Sequence, residues 1–197
     1  MGIEFRPFQK IARLSRDVVV TEKIDGTNAS IFIGEDGAFL TGSRTRWITP
    51  QDDNYGFAAW CYEHCDELME LGVGHHFGEW WGRGINRNYG LTDRKFSLFN
   101  VHRWCAVGSA PIVTPSKDPK SMAHTQQIVP ACCDVVPVLY RGVFDTAMVN
   151  ALIESMREQG SSAAPGFTNP EGVVVFHTAG NVLFKKTIEK DSEWKGK

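Results

Sequence analysis

The order of apolar and polar residues changes period several times along this chain, and each change predicts an element. Val18-Val19-Val20 is an unbroken apolar run. Three β-branched residues in succession favour extended backbone, and a run without polar alternation suits a strand covered on both faces. It predicts a strand over 18–24, a second over 29–33 and, after Gly34-Glu35-Asp36-Gly37, a third near 38–43. Asp25-Gly26 is the turn signal between the first two, since Gly26 can take positive φ at no steric cost. Over 55–71 the period becomes helical, with Phe57, Trp60, Cys61, Cys65, Leu68 and Leu71 on one side and Gly72 as the stop. Strands follow over 75–81 and over the aromatic-rich 96–104, then a Pro-, Ser- and Lys-rich loop or insertion over 106–127.

The second half repeats the same logic. Residues 135–140 read as a strand that Pro137 confines to an edge or a bulge, because proline cannot donate to a ladder. Asp145 caps a helix running through Gln159, whose apolar face is Met148, Leu152, Ile153 and Met156. Residues 161–169 read as a flexible loop, and a hairpin closes the chain over 172–177 and 182–188, turning at Ala179-Gly180-Asn181. Many strands and about two helices make the class α+β with largely antiparallel sheets, in a single domain over 1–197.

Composition narrows the function classes. At 42% hydrophobic the chain can bury a core, and no apolar window of about 18 residues exists for a membrane span. Met1-Gly2-Ile3-Glu4-Phe5-Arg6 lacks the order of a signal peptide and has no Ser or Thr at the sixth position for myristoylation. A cytoplasmic protein is expected. The 5 cysteines are odd in number, include the adjacent pair Cys132-Cys133 and form no Cys-x-x-Cys, so buried thiols are expected rather than disulfides or zinc. A net charge of -2 excludes a globally basic nucleic-acid binder. It leaves room for a local basic face built from Arg44, Arg46, Arg83, Arg87, Arg94, Lys95 and the lysines from Lys185 onward.

The candidate chemistry centres on Lys23, in Thr21-Glu22-Lys23-Ile24-Asp25-Gly26-Thr27-Asn28. A primary amine at a strand end, beside a tight turn, can approach a ligand as a covalent nucleophile. Four more segments add to it. Glu79 lies in the apolar Phe77-Gly78-Glu79-Trp80-Trp81-Gly82, where a carboxylate needs donors such as ribose hydroxyls. Phe96-Ser97-Leu98-Phe99-Asn100 supplies an aromatic for stacking on a base. Glu171-Gly172 leads into a valine-rich strand, and Phe184-Lys185-Lys186-Thr187 ends the last strand with two ammonium groups.

In order and spacing these five segments resemble the covalent nucleotidyltransferase superfamily of polynucleotide ligases and mRNA-capping enzymes. The ending Gly26-Thr27-Asn28 is most similar to ATP-dependent RNA ligases of the RNA ligase 2 type, since DNA ligases and capping enzymes carry arginine where Asn28 stands. The resemblance runs from about Val18 to Thr187. It implies an α+β nucleotidyltransferase (ATP-grasp-like) domain of two largely antiparallel sheets flanked by helices. It also implies an ATP-dependent RNA ligase that joins 5′-phosphate and 3′-OH ends, for RNA repair, with Mg2+ or Mn2+. By the resemblance Lys23 takes AMP from ATP as a phosphoramide, and Lys185, Glu171 and Arg44 act with it. ATP and AMP would meet Glu22, Lys23, Ile24, Asn28, Arg44, Glu79, Phe99, Glu171 and Lys185, with Glu79 on the ribose and Phe99 on adenine. Glu171 would hold the divalent metal or orient the lysine. Asp25, Gly26, Arg46, Asn100 and Lys186 are further residues around the site.

Two departures stand out. The last motif usually reads Lys-x-Lys, which puts both lysines on one strand face; Lys185-Lys186 are adjacent, so only one can enter, and Lys185 with Thr187 beside it is the expected one. Asn100 stands where relatives often carry an acid. Most relatives also add a C-terminal clamp, so a minimal ligase is expected, gripping RNA by its own basic face or through a protein partner, and this small, clamp-free form implies a phage or bacterial setting. The competing readings are a non-catalytic nucleotide- or RNA-binding module of the same fold and a capping-type guanylyltransferase.

Overall fold

The computed structural model describes residues 3–105, 129–189 and 191. In chain order the elements are β1 (Asp17–Lys23), β2 (Thr27–Ile33), β3 (Phe39–Ser43), β4 (Trp47–Ile48), α1 (Phe57–Glu63), α2 (Cys65–Leu68), a 3-10 turn (Met69–Leu71), β5 (Gly74–Gly82), β6 (Arg94–Leu98), α3 (Val101–Trp104), β7 (Cys133–Val135), β8 (Val138–Val143), α4 (Thr146–Gln159), β9 (Gly172–His177) and β10 (Val182–Thr187). They form two sheets. One has the order β10-β9-β1-β8, and the other β4-β3-β2-β5-β6-β7. Every pairing is antiparallel except β6 with β7.

The valine triplet explains why β1 is central. Val18 and Val20 join the cluster formed with Val173 and Val175 of β9 and with Val149, Leu152, Ile153 and Met156 of α4. Val19 points the other way, into the larger cluster with Ile31, Trp80, Phe96 and Phe57 of α1. Alternate side chains of a strand face opposite sides, so an apolar triplet needs cover on both. α4 supplies one cover. Asp145 caps it as expected, its Oδ1 accepting from the Ala147 N–H at 2.8 Å.

Four local expectations are corrected. The helical period over 55–71 is broken at His64 into α1, α2 and the 3-10 turn. The strand expected over 96–104 stops at Leu98, because Asn100 accepts a hydrogen bond from the Arg103 N–H at 3.2 Å and caps α3. The strand expected over 135–140 divides at Pro137 into β7, on the edge of the six-stranded sheet, and β8, on the edge of the other. Residues 161–169 are not a loose loop. The Glu22 carboxylate accepts from Ser161 Oγ at 2.5 Å and from the Ser162 and Ala163 N–H groups at 2.8 and 2.9 Å. The loop expected over 106–127 lies outside the described residues, as do Lys190, Lys195 and Lys197. No helix among the described residues is long and apolar enough to cross a membrane.

Ile153 is the most buried α4 side chain against the valines of β1 and β9. Ile153→Ala is expected to cost about 2–5 kcal/mol of stability through lost transfer energy and a residual cavity. A urea titration would read this as a lower midpoint at unchanged slope.

Candidate active site

Lys23 is the last residue of β1, and the β1–β9 ladder sets it opposite Gly172. That register brings the residue before Gly172 within reach. Lys23 Nζ donates to Glu171 Oε2 at 2.7 Å, with the side chains 25% and 17% exposed. Gly172 has φ 150°, and a Cβ there would sit 2.7 Å from Thr187 Cα and closer still to the Lys186 carbonyl. The glycine therefore lets β10 lie against the pairing partner of Lys23.

Gly26 serves a different purpose from the one expected. Its φ is not positive; its lack of a Cβ admits the Trp80 carbonyl and Trp81 Cβ, the latter 2.7 Å from where a Cβ would stand. This approach carries the Gly26 N–H to Glu79 Oε1 at 3.0 Å. Glu79 stands opposite Asn28 in the β2–β5 pairing, so carboxylate, amide and lysine converge on one cleft. The cleft has a volume of about 1000 Å³, and Lys23, Ile24, Asp25, Gly26, Asn28, Arg44, Glu79, Phe99, Asn100 and Lys185 all line it.

The remaining predicted residues separate. Glu22 borders the cleft, but its carboxylate is committed to residues 161–163, on the strand face opposite Lys23. Its main-chain N–H is committed too, donating to the Pro137 carbonyl at 2.9 Å. Glu171 does not line the cleft directly and is reached through Lys23. Arg46 lies outside, paired with Asp52 through two hydrogen bonds, one of 2.9 Å. Lys186 also turns away, to Asp191 at 3.1 Å, and the Thr187 hydroxyl donates to the Glu189 carbonyl at 2.6 Å instead of facing the cleft. Among the described residues Arg44 and Lys185 have no ion-pair partner, so both cations are free to meet an anion. Of the other expected basic residues, Arg87, Arg94 and Lys95 are bound to Asp25, the Tyr55 carbonyl and Asp134.

Sequence reasoning missed the segment that braces the lysine loop. Asn86 Nδ2 donates to Asp25 Oδ1 at 2.9 Å and to the Gly26 carbonyl at 2.6 Å. Arg87 Nε donates to Asp25 Oδ2 at 3.0 Å, while its Nη1 reaches Asn169 Oδ1 at 2.8 Å. The Asp25 N–H donates to the Tyr89 hydroxyl at 2.8 Å. Asn86, Asn88 and Tyr89 all have positive φ. The available signal was the glycine and asparagine repetition in Gly84-Ile85-Asn86-Arg87-Asn88-Tyr89-Gly90, residue types that tolerate left-handed backbone.

Burial in the cleft wall pushes the Glu79 carboxyl up to about 7. The Gly26 N–H and Lys23 oppose the rise, and Glu171 and Asp25 add to it. Burial raises Glu22 as well, against the pull of its three donors.

Comparison with known proteins adds a family and a fold. The RNA ligase family profile matches residues 16–187. A Naegleria gruberi RNA ligase variant solved with ATP and Mn superposes with a TM-score of 0.56 at 18% identity, covering 91% of this chain and 52% of that one. A variant of the same ligase with AMP and Mn gives 0.55 at 18% identity over 88% and 50%, and an apo variant 0.56 at 18% over 92% and 53%. The chain thus spans about half the length of the solved relatives it matches. No curated protein sequence matches it.

A folded value for Glu79 above its ordinary 4.5 means that the fold favours the protonated acid. Its stabilising contribution is complete below about pH 4.5 and is lost as pH rises through about 7. The ligand-free protein should therefore lose stability across that window. Glu79→Gln should flatten the slope, leaving the part due to Glu22, in melting temperatures taken at several pH values. Equal slopes in the two proteins would count against a protonated Glu79.

Proposed function

The chain belongs to the RNA ligase family, and we propose that it is an ATP-dependent ligase in which Lys23 carries the AMP. The observation that supports this most is the pairing of Lys23 with Glu171 at 2.7 Å, beside a cleft that holds two unpaired cations. An amine attacks only once it has shed its proton, and Glu171 is in hydrogen-bonding contact to receive it. Lys23 Nζ then bonds to the α-phosphorus of ATP as the bond to the β-phosphate oxygen breaks, and pyrophosphate leaves with that electron pair. A 5′-phosphate oxygen of RNA displaces the lysine from AMP. A 3′-OH then attacks that 5′-phosphorus, forming the phosphodiester and releasing AMP.

Each group suits a part of this substrate. Lys185 and Arg44 answer the charge that develops on non-bridging phosphate oxygens. Glu79 accepts from ribose hydroxyls, and the half-exposed Phe99 offers its face to adenine. Asn28, beside Glu79, is available to the 5′-phosphate end. Among the described residues no three His, Cys, Asp or Glu side chains form a metal cage. Mg2+ or Mn2+ would be held mainly by the substrate's phosphates, with Glu171, in contact with Lys23, as the protein carboxylate to join it. Bound there, the ion would neutralise phosphate charge. Asn100, as the cap of α3, positions the backbone behind Phe99 rather than acting on the metal.

Incubation with ATP and magnesium should add the mass of one AMP to the wild-type protein and none to Lys23→Ala. An adduct on Lys23→Ala would disprove the assignment, and labelling from GTP in preference to ATP would point to a capping enzyme. Lys185→Ala should slow adduct formation by about 10²–10³, the loss expected for one transition-state donor. Lys186→Ala should slow it less than about tenfold, because that ammonium is held by Asp191.

A further inference from the structure

On the face of the six-stranded sheet opposite α1, β5 presents Trp81, Glu79, Phe77 and His75 in turn. Trp81 is buried under Tyr89, Glu79 borders the cleft, and Phe77 and His75 are exposed. Phe77 is 48% exposed, and Trp47, in the same row across the sheet beyond Ser30 and Gly42, is 51% exposed. Trp47 stacks on His75 with centroids 5.6 Å apart and planes at 23°, and His75 meets Phe77 at 4.1 Å. Phe32, opposite His75 in the pairing of β2 with β5, touches both Trp47 and His75 edge-on. The lone glycine beneath the indole has a reason: Gly42 pairs with Trp47, and a Cβ there would stand 3.3 Å from Trp47 Cε3. The ring can therefore lie flat on the sheet.

The platform is continuous with the cleft. The Phe77 carbonyl accepts the Phe99 N–H at 2.9 Å, and Phe77, His75, Phe99 and Arg44 share the cleft wall. Beyond Glu79 the β2, β3 and β5 positions on this face carry no acid. The unpaired Arg44 lies at the cleft end, and at the other end Arg46 donates to the Trp47 carbonyl at 3.3 Å while paired with Asp52. Exposed aromatic rings grouped on one face mark an interaction site. Flat aromatic rings beside a free guanidinium suit unpaired bases and a phosphate backbone. They do not suit an A-form duplex, whose bases are stacked on each other and present only grooves and backbone.

We propose that Trp47, His75 and Phe77, with Arg44 at their cleft end, form a stacking platform for single-stranded RNA leading into the active site. The substrate would then be RNA with unpaired nucleotides beside the join, rather than a fully paired nick. This deepens the ligase reading and rests on it.

The test uses the whole chain and a fluorescent, 5′-phosphorylated RNA, presented either unstructured or annealed into a fully paired nick. Trp47→Ala and Phe77→Ala should each weaken binding of the unstructured RNA by about five- to a hundredfold, as expected for one lost base–aromatic stack. Binding of the nick should change less. Trp47→Phe, which keeps a flat ring and controls for folding, should retain most of the affinity. AMP adduct formation by Trp47→Ala in the absence of RNA should match wild type. Unchanged affinity in both alanine variants would overturn the platform and assign the patch to a protein partner. Equal weakening on the nick would overturn the single-strand preference. If the wild-type protein forms no adduct, the ligase reading itself fails, which is a separate outcome from either of these.

Discussion

The site depends on the register between β1 and β9. Backbone hydrogen bonds across that pair fix Lys23 opposite Gly172, and this alone brings Glu171 to the amine. Side-chain packing holds the register in place, because Val18 and Val20 must face α4 while Val19 faces the other core. A slip by one residue would exchange those faces and turn Lys23 out of the cleft. The same alternation sends the Glu22 carboxylate behind the strand, where residues 161–163 satisfy it. One strand thus sends Lys23 to the cleft on one side and anchors itself through Glu22 on the other.

The charges around the cleft sort into those with partners and those without. Asp25 is held by Asn86 and Arg87, Lys186 by Asp191, and Arg46 by Asp52. These are committed to shaping loops. Arg44 and Lys185 stay unmatched at the cleft, and Glu79 sits where burial favours the neutral acid. An apo site that leaves cations unmatched and a carboxyl disfavoured as the ion is arranged for a polyanion with hydroxyl groups, whose binding resolves both. The aromatic strip from Phe77 to Trp47 continues the surface that such a ligand would meet.

Much of this was legible in the residues, and the failures have physical causes. The valine triplet, the Asp145 cap and the closing hairpin are local signals, and the structure has each of them. Adjacent lysines cannot share a strand face, so alternation foretold that only one would reach the cleft, and the one that lines it is Lys185. Pro137 read as an edge or bulge residue within one strand, but it lies in the break between β7 and β8, and no local pattern says that edges of two different sheets meet there. Gly26 read as a turn former because close approach of Trp80 and Trp81 is a tertiary fact. Residues 161–169 read as loose because their partner, Glu22, lies about 140 positions away. The Asn86–Tyr89 brace escaped for the same reason, since Arg87 looks like any surface arginine until Asp25 is beside it.

The contact between Lys23 and Glu171 joins residues 148 positions apart. The chain enters the four-stranded sheet with β1, leaves for the six-stranded sheet through β7, and returns only with β8. Loop-closure entropy must be met before such remote pairings reward it, so this topology lies toward the slow end of folding. A ribosome that has released β1 through β7 has made Lys23 but neither of the strands that flank β1, β8 and β9. On the proposed mechanism Lys23 meets Glu171 only once β9 has been made, so its reactivity would belong to the assembled sheet and not to the strand that carries it.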